Sequence, residues 1–392
     1  MKAASTSGAV SVAAQSVPLL DLKRQYAQIR EEVRAAIDRV CEAQHFIFGP
    51  ELEAFERAAA EFVGASACIG CASGTDAIWL ALVACGVEPG HEVLTTPFSF
   101  FATISAIVRA GARAVLVDVD PETLNLDAAK VETRFRESFS PRLKAMLPVH
   151  LFGQCADMDA LSRVAQEHKL VMIEDAAQAF GAAWRGRRAG SLGMAAAFSF
   201  YPTKNLSAFG DAGCVTTNDP AVADHLRRLR NHGSRVRYYH EEIGGNSRLD
   251  AIQAAVLNVK LRHLEQWNEA RRQRAAVYDK LLADAGLAGG AQAPLRMLRT
   301  APEAHHIFHQ YVVRSARRDE LRKFLTGRGV GTEVYYPVPL HQQDPLRYFG
   351  YGEGSFPESE RAAREVLALP MFAELTDAEQ HYVVESIAAF FS

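Results

Sequence analysis

The sequence lacks the features that define several protein classes. Its apolar runs, such as "AVLVDV" at 114–119, have the length of strands and are too short to cross a bilayer. Only six cysteines are scattered over 392 residues, which excludes a disulfide scaffold and predicts reduced thiols. Lysine and arginine total 43 against 46 acidic residues, so the net charge of −3 offers no basic field for nucleic acid.

Two clusters, one of cysteines and one of histidines, resemble parts of a metal or redox site but do not complete one. Cys68 and Cys71 form a C-x-x-C motif, but no second pair follows at zinc-binding spacing, and the role of the two thiols stays open. His305, His306 and His309 alternate with apolar residues in "HHIFHQYVVR". That alternation predicts a β-strand rather than a ligand set.

Length and composition predict a globular enzyme of two domains. The chain is 48% hydrophobic and 23% charged, and it exceeds the size that a single hydrophobic core usually serves. Residues 1–16 are rich in small side chains and lack a sustained apolar stretch, so we expect a flexible tail on a cytoplasmic protein. We place a large domain over 17–260, whose first helix could also pack on the smaller domain, over 261–392.

The pattern within the large domain predicts an α/β fold. Two amphipathic helices, over 26–43 and 51–64, precede short apolar segments that alternate with further helices. Such segments are typical of strands buried on both faces in a mostly parallel sheet. A long helical stretch over 248–286 follows the sheet. The predicted strands are 67–71, 92–96, 114–119, 144–150, 170–176, 195–200 and 213–218.

Polar and aromatic residues follow four of these strands, at the sheet edge where α/β proteins bind ligands. "SGTDAIWLAL" opens a helix at Gly74 and Thr75, as an anion cradle or as plain N-capping by Ser73 or Thr75. "PFSFFAT" supplies aromatic rings for a flat ligand or for the core. Asp175 follows an apolar strand and needs a cationic partner, which a structural salt bridge would also provide.

Lys204 follows the predicted strand 195–200, within the segment "FSFYPTKNLSAFGDAG". Taken alone, Lys204 could be an ordinary solvent-exposed lysine in a turn. However, a phosphate cradle, a stacking aromatic, a buried acid and a lysine in this order are the parts that hold pyridoxal 5′-phosphate (PLP). A desolvated lysine amine loses its proton readily and condenses with the cofactor aldehyde. An aspartate beside the ring nitrogen keeps that ring an electron sink, and the freed lysine can then move a proton.

The ordered motifs of the chain resemble those of the DegT-type (DegT/StrS) nucleotide-sugar aminotransferases. The resemblance runs from about Val17 to the C-terminus and rests on the motifs above together with "FGPELEAFE", "PVHLFGQCADM", "GGNSRLDAIQAAVL" and "YYPVPLHQQ". It implies the PLP-dependent transferase fold of type I, with a seven-stranded, mostly parallel sheet between helices and a smaller α/β C-terminal domain. The large domain would bind PLP.

The resemblance also implies the roles of individual residues. Lys204 would be the Schiff-base lysine, Asp175 the partner of the ring nitrogen, Phe100 the stacking aromatic and Gln178 a contact of the ring's 3′ oxygen. Asn246 would reach the cofactor of a neighbouring subunit, which implies a homodimer with shared active sites. The implied cofactor-binding residues are Gly74, Thr75, Phe100, Asp175, Gln178, Ser199, Lys204 and Asn246, and the implied substrate-binding residues are Tyr335, Tyr336 and His341.

The implied activity is transamination of a nucleotide-linked keto sugar, with L-glutamate as donor and pyridoxamine 5′-phosphate as the intermediate cofactor form. Dehydratase relatives have histidine in place of the lysine, and this chain keeps Lys204. The motifs favour a UDP-linked 3-keto N-acetylhexosamine or hexuronate destined for surface polysaccharide. Because Tyr335 stands where that subgroup has histidine, a dTDP-linked 3- or 4-keto-6-deoxyhexose is the alternative.

Two other classes remain as rivals. A nucleotide-cofactor oxidoreductase would share the sheet pattern, but no G-x-G-x-x-G motif follows the early strands. A non-catalytic regulator or sugar-binding protein would share the whole fold, and the presence of Lys204 and Asp175 argues against it.

Overall fold

A computed structural model describes residues 16–290 and 292–392, so the predicted tail over 1–16 lies almost entirely outside the described residues. The helices are α1 (Leu22–Ala43), α2 (Pro50–Val63), α3 (Gly74–Ala84), α4 (Phe101–Arg109), α5 (Ala128–Glu137), α6 (Met158–Glu167), α7 (Pro220–Leu229), α8 (Ala251–Leu261), α9 (Leu264–Asp284), α10 (Arg318–Gly327), α11 (Pro357–Glu365) and α12 (Asp377–Phe391). The strands are β1 (Ala67–Cys71), β2 (Glu92–Thr95), β3 (Arg113–Leu116), β4 (Leu143–Met146), β5 (Val171–Asp175), β6 (Ala183–Trp184), β7 (Arg187–Arg188), β8 (Ala195–Ser199), β9 (Gly213–Thr217), β10 (Ser234–Val236), β11 (Tyr239–His240), β12 (Arg296–Met297), β13 (Ala304–His305), β14 (Tyr311–Arg314) and β15 (Val366–Leu369).

The seven predicted strands form one seven-stranded sheet in the order β1-β9-β8-β5-β4-β2-β3. The pairs β2 with β3, β2 with β4, β4 with β5, and β5 with β8 are parallel. Strand β9 runs antiparallel to both of its neighbours, so β1 points the same way as β8. The prediction of a mostly parallel sheet is confirmed, and the carboxyl ends of β1, β2, β5 and β8 share one edge.

Local signals in the sequence set the ends of the first helices. Asp21 caps α1, since its Oδ1 accepts a hydrogen bond from the Lys23 amide at 2.9 Å. Pro50 occupies the first turn of α2, where its missing N–H has no partner to lose. Gly64 ends α2 in the left-handed region, with φ of 73°. Both predicted helices therefore begin and end close to the expected residues.

Helices cover both faces of the sheet, which explains why its strands are apolar throughout. One face packs against α2, α5 and α6 through side chains such as Phe55, Val131 and Leu161. The other face packs against α3, α4 and α7 through Ile78, Ile104 and Leu226. A parallel sheet buried on both faces is the arrangement expected of an α/β protein.

A second sheet of β12, β14 and β15 forms beyond α9, and both of its pairs are antiparallel. It has its own core, which includes Val313, Leu321, Leu367 and Ile387. Helix α1 packs on α8 and on Trp267 of α9. The predicted domain boundary at 260 lies one residue before α8 ends, and it stays a prediction.

Two predictions on the C-terminal half require correction. The stretch 248–286 is not one helix, because the chain turns at Arg262 and His263 between α8 and α9. No glycine or proline marks that turn in the sequence. The segment "HHIFHQYVVR" is a strand only at its ends, because Phe308 takes a φ of 44° and turns the chain before β14. His306 and His309 therefore lie in a loop.

The structure adds no membrane or metal element to this fold. None of the helices formed by the described residues is long and apolar enough to span a bilayer. Within the same part of the chain, no three His, Cys, Asp or Glu side chains cluster in a way that could hold a metal ion. All six cysteines are free thiols, and Cys68 and Cys71 are buried.

Candidate active site

The carboxyl ends of β1, β2, β5 and β8 open into a cavity of about 830 Å³. Segments of the C-terminal half close its other side, between α9 and β15. Most of the residues predicted for the site share this cavity. Its lining includes Gly74, Thr75, Phe100, Asp175, Gln178, Ser199, Lys204, Tyr335 and Tyr336.

The deepest acid of the cavity is Asp175, the last residue of β5, which is 2% exposed. Its Oδ2 accepts a hydrogen bond from the Thr103 hydroxyl at 2.7 Å, and its Oδ1 accepts one from the Ala177 amide at 3.3 Å. Burial nevertheless raises the pKa of the Asp175 carboxyl above its ordinary value. The carboxylate is therefore held in a fixed position with room for a further positive partner.

Lys204 lies in the loop that follows β8, and its backbone N–H donates to the Tyr201 carbonyl at 2.8 Å. Burial lowers the pKa of its amine to about 8, although the charge of Asp175 acts in the opposite direction. An amine with this pKa is neutral in about one molecule in ten at pH 7, far more often than an ordinary lysine. The lysine can therefore act as a nucleophile or a base, which an ordinary lysine cannot do readily.

The N-terminus of α3 and the end of β8 form the predicted cradle for an anion. Ser73 caps α3, since its Oγ accepts from the Asp76 amide at 3.1 Å, so the capping interpretation is correct for this residue. The cap leaves the first amides of an eleven-residue helix at the cavity wall. A Cβ atom on Gly74 would lie 2.5 Å from the Cβ of Ser199, so only glycine lets the two segments meet.

Aromatic rings and one amide form the opposite wall of the cavity. The ring of Phe100 is 58% exposed at the N-terminus of α4, and its centroid lies 6.0 Å from that of Tyr336. Gln178 Oε1 accepts from the Phe152 amide at 2.6 Å, and its Nε2 donates to the Tyr336 hydroxyl at 3.0 Å. A flat ring could stack on Phe100 beside a polar group of fixed orientation.

Two predicted site residues do not line this cavity. His341 is 2% exposed, and its Nε2 pairs with Glu360 Oε1 at 3.0 Å, away from the cavity. Substrate contact by His341 would require this buried pair to open. Asn246 is exposed on the surface after β11. It is not among the described residues that line the cavity of its own chain. That position agrees with the expectation that Asn246 acts on a neighbouring subunit.

Sequence reasoning missed three residues that the fold brings to the cavity. Thr103, in the first turn of α4, donates a hydrogen bond to Asp175, and its hydroxyl at the end of "PFSFFAT" was the available signal. His309 and Gln310 line the cavity because the chain turns at Phe308 instead of continuing as a strand. Alternation with apolar residues gave no sign of that turn.

These residues fit PLP, as judged by their own geometry. A helix N-terminus with a glycine that admits no Cβ suits a phosphate. A buried carboxylate with capacity for a cation suits a protonated ring nitrogen, and an exposed phenyl face suits the ring. An amine with a pKa of about 8 suits an aldehyde. The groups that would hold each part of the cofactor thus share one cavity.

Fold and site together define a PLP-dependent enzyme of the transferase type. Residues 27–388 match the DegT/DnrJ/EryC1/StrS aminotransferase family, and the chain belongs to it. This match covers nearly the whole described chain. The predictions of the family and of a PLP-dependent sugar aminotransferase are confirmed at this level.

Relatives with assigned names span most of the chain. It is 49% identical to a "Pleiotropic regulatory protein" of Geobacillus stearothermophilus, over 96% of this chain and 99% of the relative. It is 44% identical to the "dTDP-3-amino-3,4,6-trideoxy-alpha-D-glucose transaminase" of Streptomyces venezuelae, over 95% of each chain. It is 39% identical to the "UDP-2-acetamido-2-deoxy-3-oxo-D-glucuronate aminotransferase" of Pseudomonas aeruginosa, over 92% of this chain and 97% of the relative.

Solved structures confirm the fold and the cofactor. S. venezuelae DesV in complex with a ketimine intermediate superposes with a TM-score of 0.91 at 44% identity, over 96% of this chain and 98% of that one. NtdA from Bacillus subtilis, with the bound cofactor PMP, gives 0.87 at 30% identity, over 95% of this chain and 84% of that one. The predicted α/β transferase fold and the PLP cofactor are therefore confirmed for this chain.

We expect Gly74→Ala to weaken PLP binding at least about tenfold. The added Cβ must displace Ser199 or the first turn of α3, and one lost hydrogen bond to a charged group is worth about 1.5–3 kcal/mol. Titration of the apoprotein with PLP, followed by absorbance, measures the dissociation constant. Gly327→Ala, which has nothing within 4 Å of its new Cβ, is the matched control. Equal affinity in the two variants would contradict the cradle.

Proposed function

We propose that this chain transfers an amino group from L-glutamate to a nucleotide-linked keto sugar. The observation that carries the proposal is the placement of Asp175 and Lys204 in one cavity with the cradle of Gly74 and Ser199. The transaminases among its relatives, including the two described above, act on nucleotide-linked sugars. We assign the catalytic roles to Lys204 and Asp175.

The residues of the site divide the work of such a transfer. Bound PLP supplies an aldehyde that takes up the amino group and a ring that accepts electrons. Lys204 would hold the cofactor covalently, and its amine, once released, could carry a proton at the reacting carbons. Asp175 would keep a proton on the ring nitrogen. Thr103 and the Ala177 amide hold that carboxylate in place.

The remaining contacts orient the ring and the substrate. Gly74, Thr75 and Ser199 would bind the phosphate, Phe100 would stack on the ring, and Gln178 would contact its 3′ oxygen. Tyr336 lies within hydrogen-bond distance of Gln178, so substrate and cofactor contacts are linked through one amide. Tyr335 lines the same cavity and would meet the sugar nucleotide.

For the sugar we propose a UDP-linked 3-keto N-acetylhexosamine or hexuronate used in surface polysaccharide synthesis, with a dTDP-linked 3- or 4-keto-6-deoxyhexose as the alternative. The Pseudomonas relative supports the first class and the Streptomyces relative the second. Because the Geobacillus relative is named a regulatory protein, a non-catalytic regulator is the alternative that is not an enzyme. A non-catalytic regulator would not require Lys204, with its lowered pKa, in the same cavity as the buried Asp175.

We expect the wild-type protein to form a borohydride-reducible bond between Lys204 and PLP, and Lys204→Ala to bind PLP without forming it. Because the Lys204 pKa is lowered to about 8, the amine is protonated below that value, so the rate of bond formation should rise as the pH passes about 8. Absorption spectra and mass spectrometry after reduction measure both effects. A normal reducible adduct in Lys204→Ala would overturn the assignment.

A substrate panel separates the two sugar classes from the regulatory alternative. We expect glutamate to convert the bound cofactor to its amine form, and a UDP-linked 3-keto sugar to regenerate the original absorption band. Recovery with dTDP-linked keto-deoxyhexoses alone would support the alternative sugar. No spectral response to glutamate, from a protein that binds PLP, would favour the non-catalytic protein.

We also propose that the chain acts as a homodimer in the cytoplasm. The segment from β10 to Asn246 projects large apolar side chains, with Val236, Tyr238 and Ile243 exposed to 62%, 78% and 95%. Solvent-exposed apolar groups of this kind are typical of a surface covered by another chain. Asn246 stands at the end of the segment, where it could enter a neighbouring cavity. In this assembly 17–260 and 261–392 are the large and small domains of each chain.

We expect two inactive variants to restore activity to each other. Lys204→Ala loses the nucleophile of its own site, and Asn246→Ala would damage the site of its partner, so a mixed dimer keeps one intact site. The measurement is the rate after the variants are mixed and exchanged, and the control replaces Lys204→Ala by the double variant Lys204→Ala, Asn246→Ala, whose mixed dimers keep no intact site. Failure to recover activity despite subunit exchange shown by native mass spectrometry would contradict the shared site.

A further inference from the structure

The loop that carries His309 packs against the segment 151–153, which requires glycine at position 153. A Cβ atom on Gly153 would lie 2.8 Å from Ile307 Cγ1 and 3.0 Å from the His309 amide nitrogen, so glycine is required there. The Ile307 amide donates to the Gly153 carbonyl at 3.1 Å. His309 is thereby seated at the cavity wall with 8% of its surface exposed.

Asn205, the residue after Lys204, has an amide whose orientation is determined by its partners. Its Nδ2 donates to the Ile307 carbonyl at 3.2 Å and to Asn268 Oδ1 at 2.8 Å. A backbone carbonyl accepts only, so the nitrogen of Asn205 must face it. Asn268 is fixed by the same logic, because its Nδ2 donates to the Phe180 carbonyl at 3.3 Å.

The orientation of Asn205 determines which nitrogen of His309 carries the proton. Asn205 Oδ1 lies 3.1 Å from His309 Nδ1, and this oxygen can only accept. His309 therefore carries its proton on Nδ1, and Nε2 keeps a lone pair on a side chain that lines the cavity. Among the described residues, Nε2 has no hydrogen-bond partner.

The ring stays neutral because of what surrounds it. Burial holds the pKa of His309 well below its usual range, and the charges of Lys204 and Arg271 lower it further. The guanidinium of Arg271 is itself fixed by the carbonyls of Phe308, His309 and Met371. His306, the other titratable neighbour, also has its pKa lowered by burial, to about 3. Among the described residues, no carboxylate raises the pKa of His309 against these effects.

We propose that His309 is a positioning residue for Lys204, which it holds through Asn205 while it presents a neutral acceptor, Nε2, to the cavity. The inference rests on the proposed role of Lys204. Three hydrogen bonds fix Asn205, the residue next to the lysine, to α9 and to the loop that carries His309, so the amine returns to one place after each transfer. A misplacement of about 1 Å can cost about a hundredfold in rate.

The protonation state of His309 can be measured without any catalytic activity. Full-length apoprotein labelled with nitrogen-15 histidine gives long-range proton–nitrogen spectra that distinguish the two neutral tautomers and the cation, and His309→Gln assigns the signal. We expect the Nδ1–H tautomer, unchanged between about pH 6 and about pH 9. An Nε2–H tautomer, or titration at the ordinary histidine pKa, would overturn the proposal even if Lys204 proves catalytic.

Variants then test the positioning role. His309→Leu leaves Asn205 Oδ1 without a donor, so we expect the covalent bond to PLP to form about a hundredfold more slowly and kcat to fall likewise, with KM for glutamate unchanged. His309→Asn places an amide N–H the same number of bonds from Cβ as Nδ1, so it restores the donor to Asn205 Oδ1 and should recover most of both rates. His168→Leu, outside the cavity, is the control and should stay within about twofold.

Each outcome of this series has a distinct meaning. Wild-type rates in His309→Leu, or a His309→Asn variant as slow as His309→Leu, would refute positioning by this hydrogen bond. If His309→Leu does not fold, the tautomer and the His309→Asn rates still decide. A wild-type protein that forms no adduct with PLP refutes the proposed function itself, whereas the tautomer result is independent of it.

Discussion

The burial of one carboxylate, that of Asp175, is the constraint on which the rest of the site depends. The buried carboxylate of its neighbour Glu174 is fully hydrogen-bonded. Glu174 accepts hydrogen bonds from three backbone amides between 190 and 193 and pairs with His150 at 3.0 Å. Asp175, on the opposite face of the same strand, has one hydroxyl and one longer amide contact. A buried charge left partly unmatched is costly unless a ligand supplies the missing partner.

The same constraint explains the position of the lysine. Desolvation acts in opposite directions on an acid and on a base, so burial in one cavity raises the pKa of Asp175 and lowers that of Lys204. Both shifts bring the groups closer to the values at which protons move at neutral pH. The sheet brings Asp175 and Lys204 together because β5 and β8 are adjacent and parallel, so that both residues lie at the same edge.

The elements that could be predicted from the sequence are those encoded by local pattern. All seven strands of the main sheet were found because each is a short apolar run, and parallel order brought their carboxyl ends together. The turn at Arg262 and His263, the loop at Phe308 and the burial of His341 could not be predicted in this way. Each depends on contacts between residues far apart in sequence, such as His341 with Glu360 or His309 with Asn205.

The roles of the site residues came from the resemblance, and the geometry supports them unequally. Nine of the eleven residues share the cavity, whereas Asn246 and His341 do not. Thr103 belongs to the "PFSFFAT" motif and His309 to the histidine cluster, but the chemistry considered there was an aromatic ring and a metal site, so the roles of both side chains were overlooked. Both act on a neighbouring functional group, and such support is visible only once the fold is known.

The projecting segment that ends at Asn246 has a consequence for how the activity would scale. On the proposed assembly, a chain diluted below the dissociation constant of the pair keeps its sheet, its lysine and its buried acid but loses one wall of the site. Specific activity would then depend on protein concentration, with a lag after dilution set by the rate of separation. The amount of enzyme in the cell would control the turnover of each molecule as well as the number of molecules.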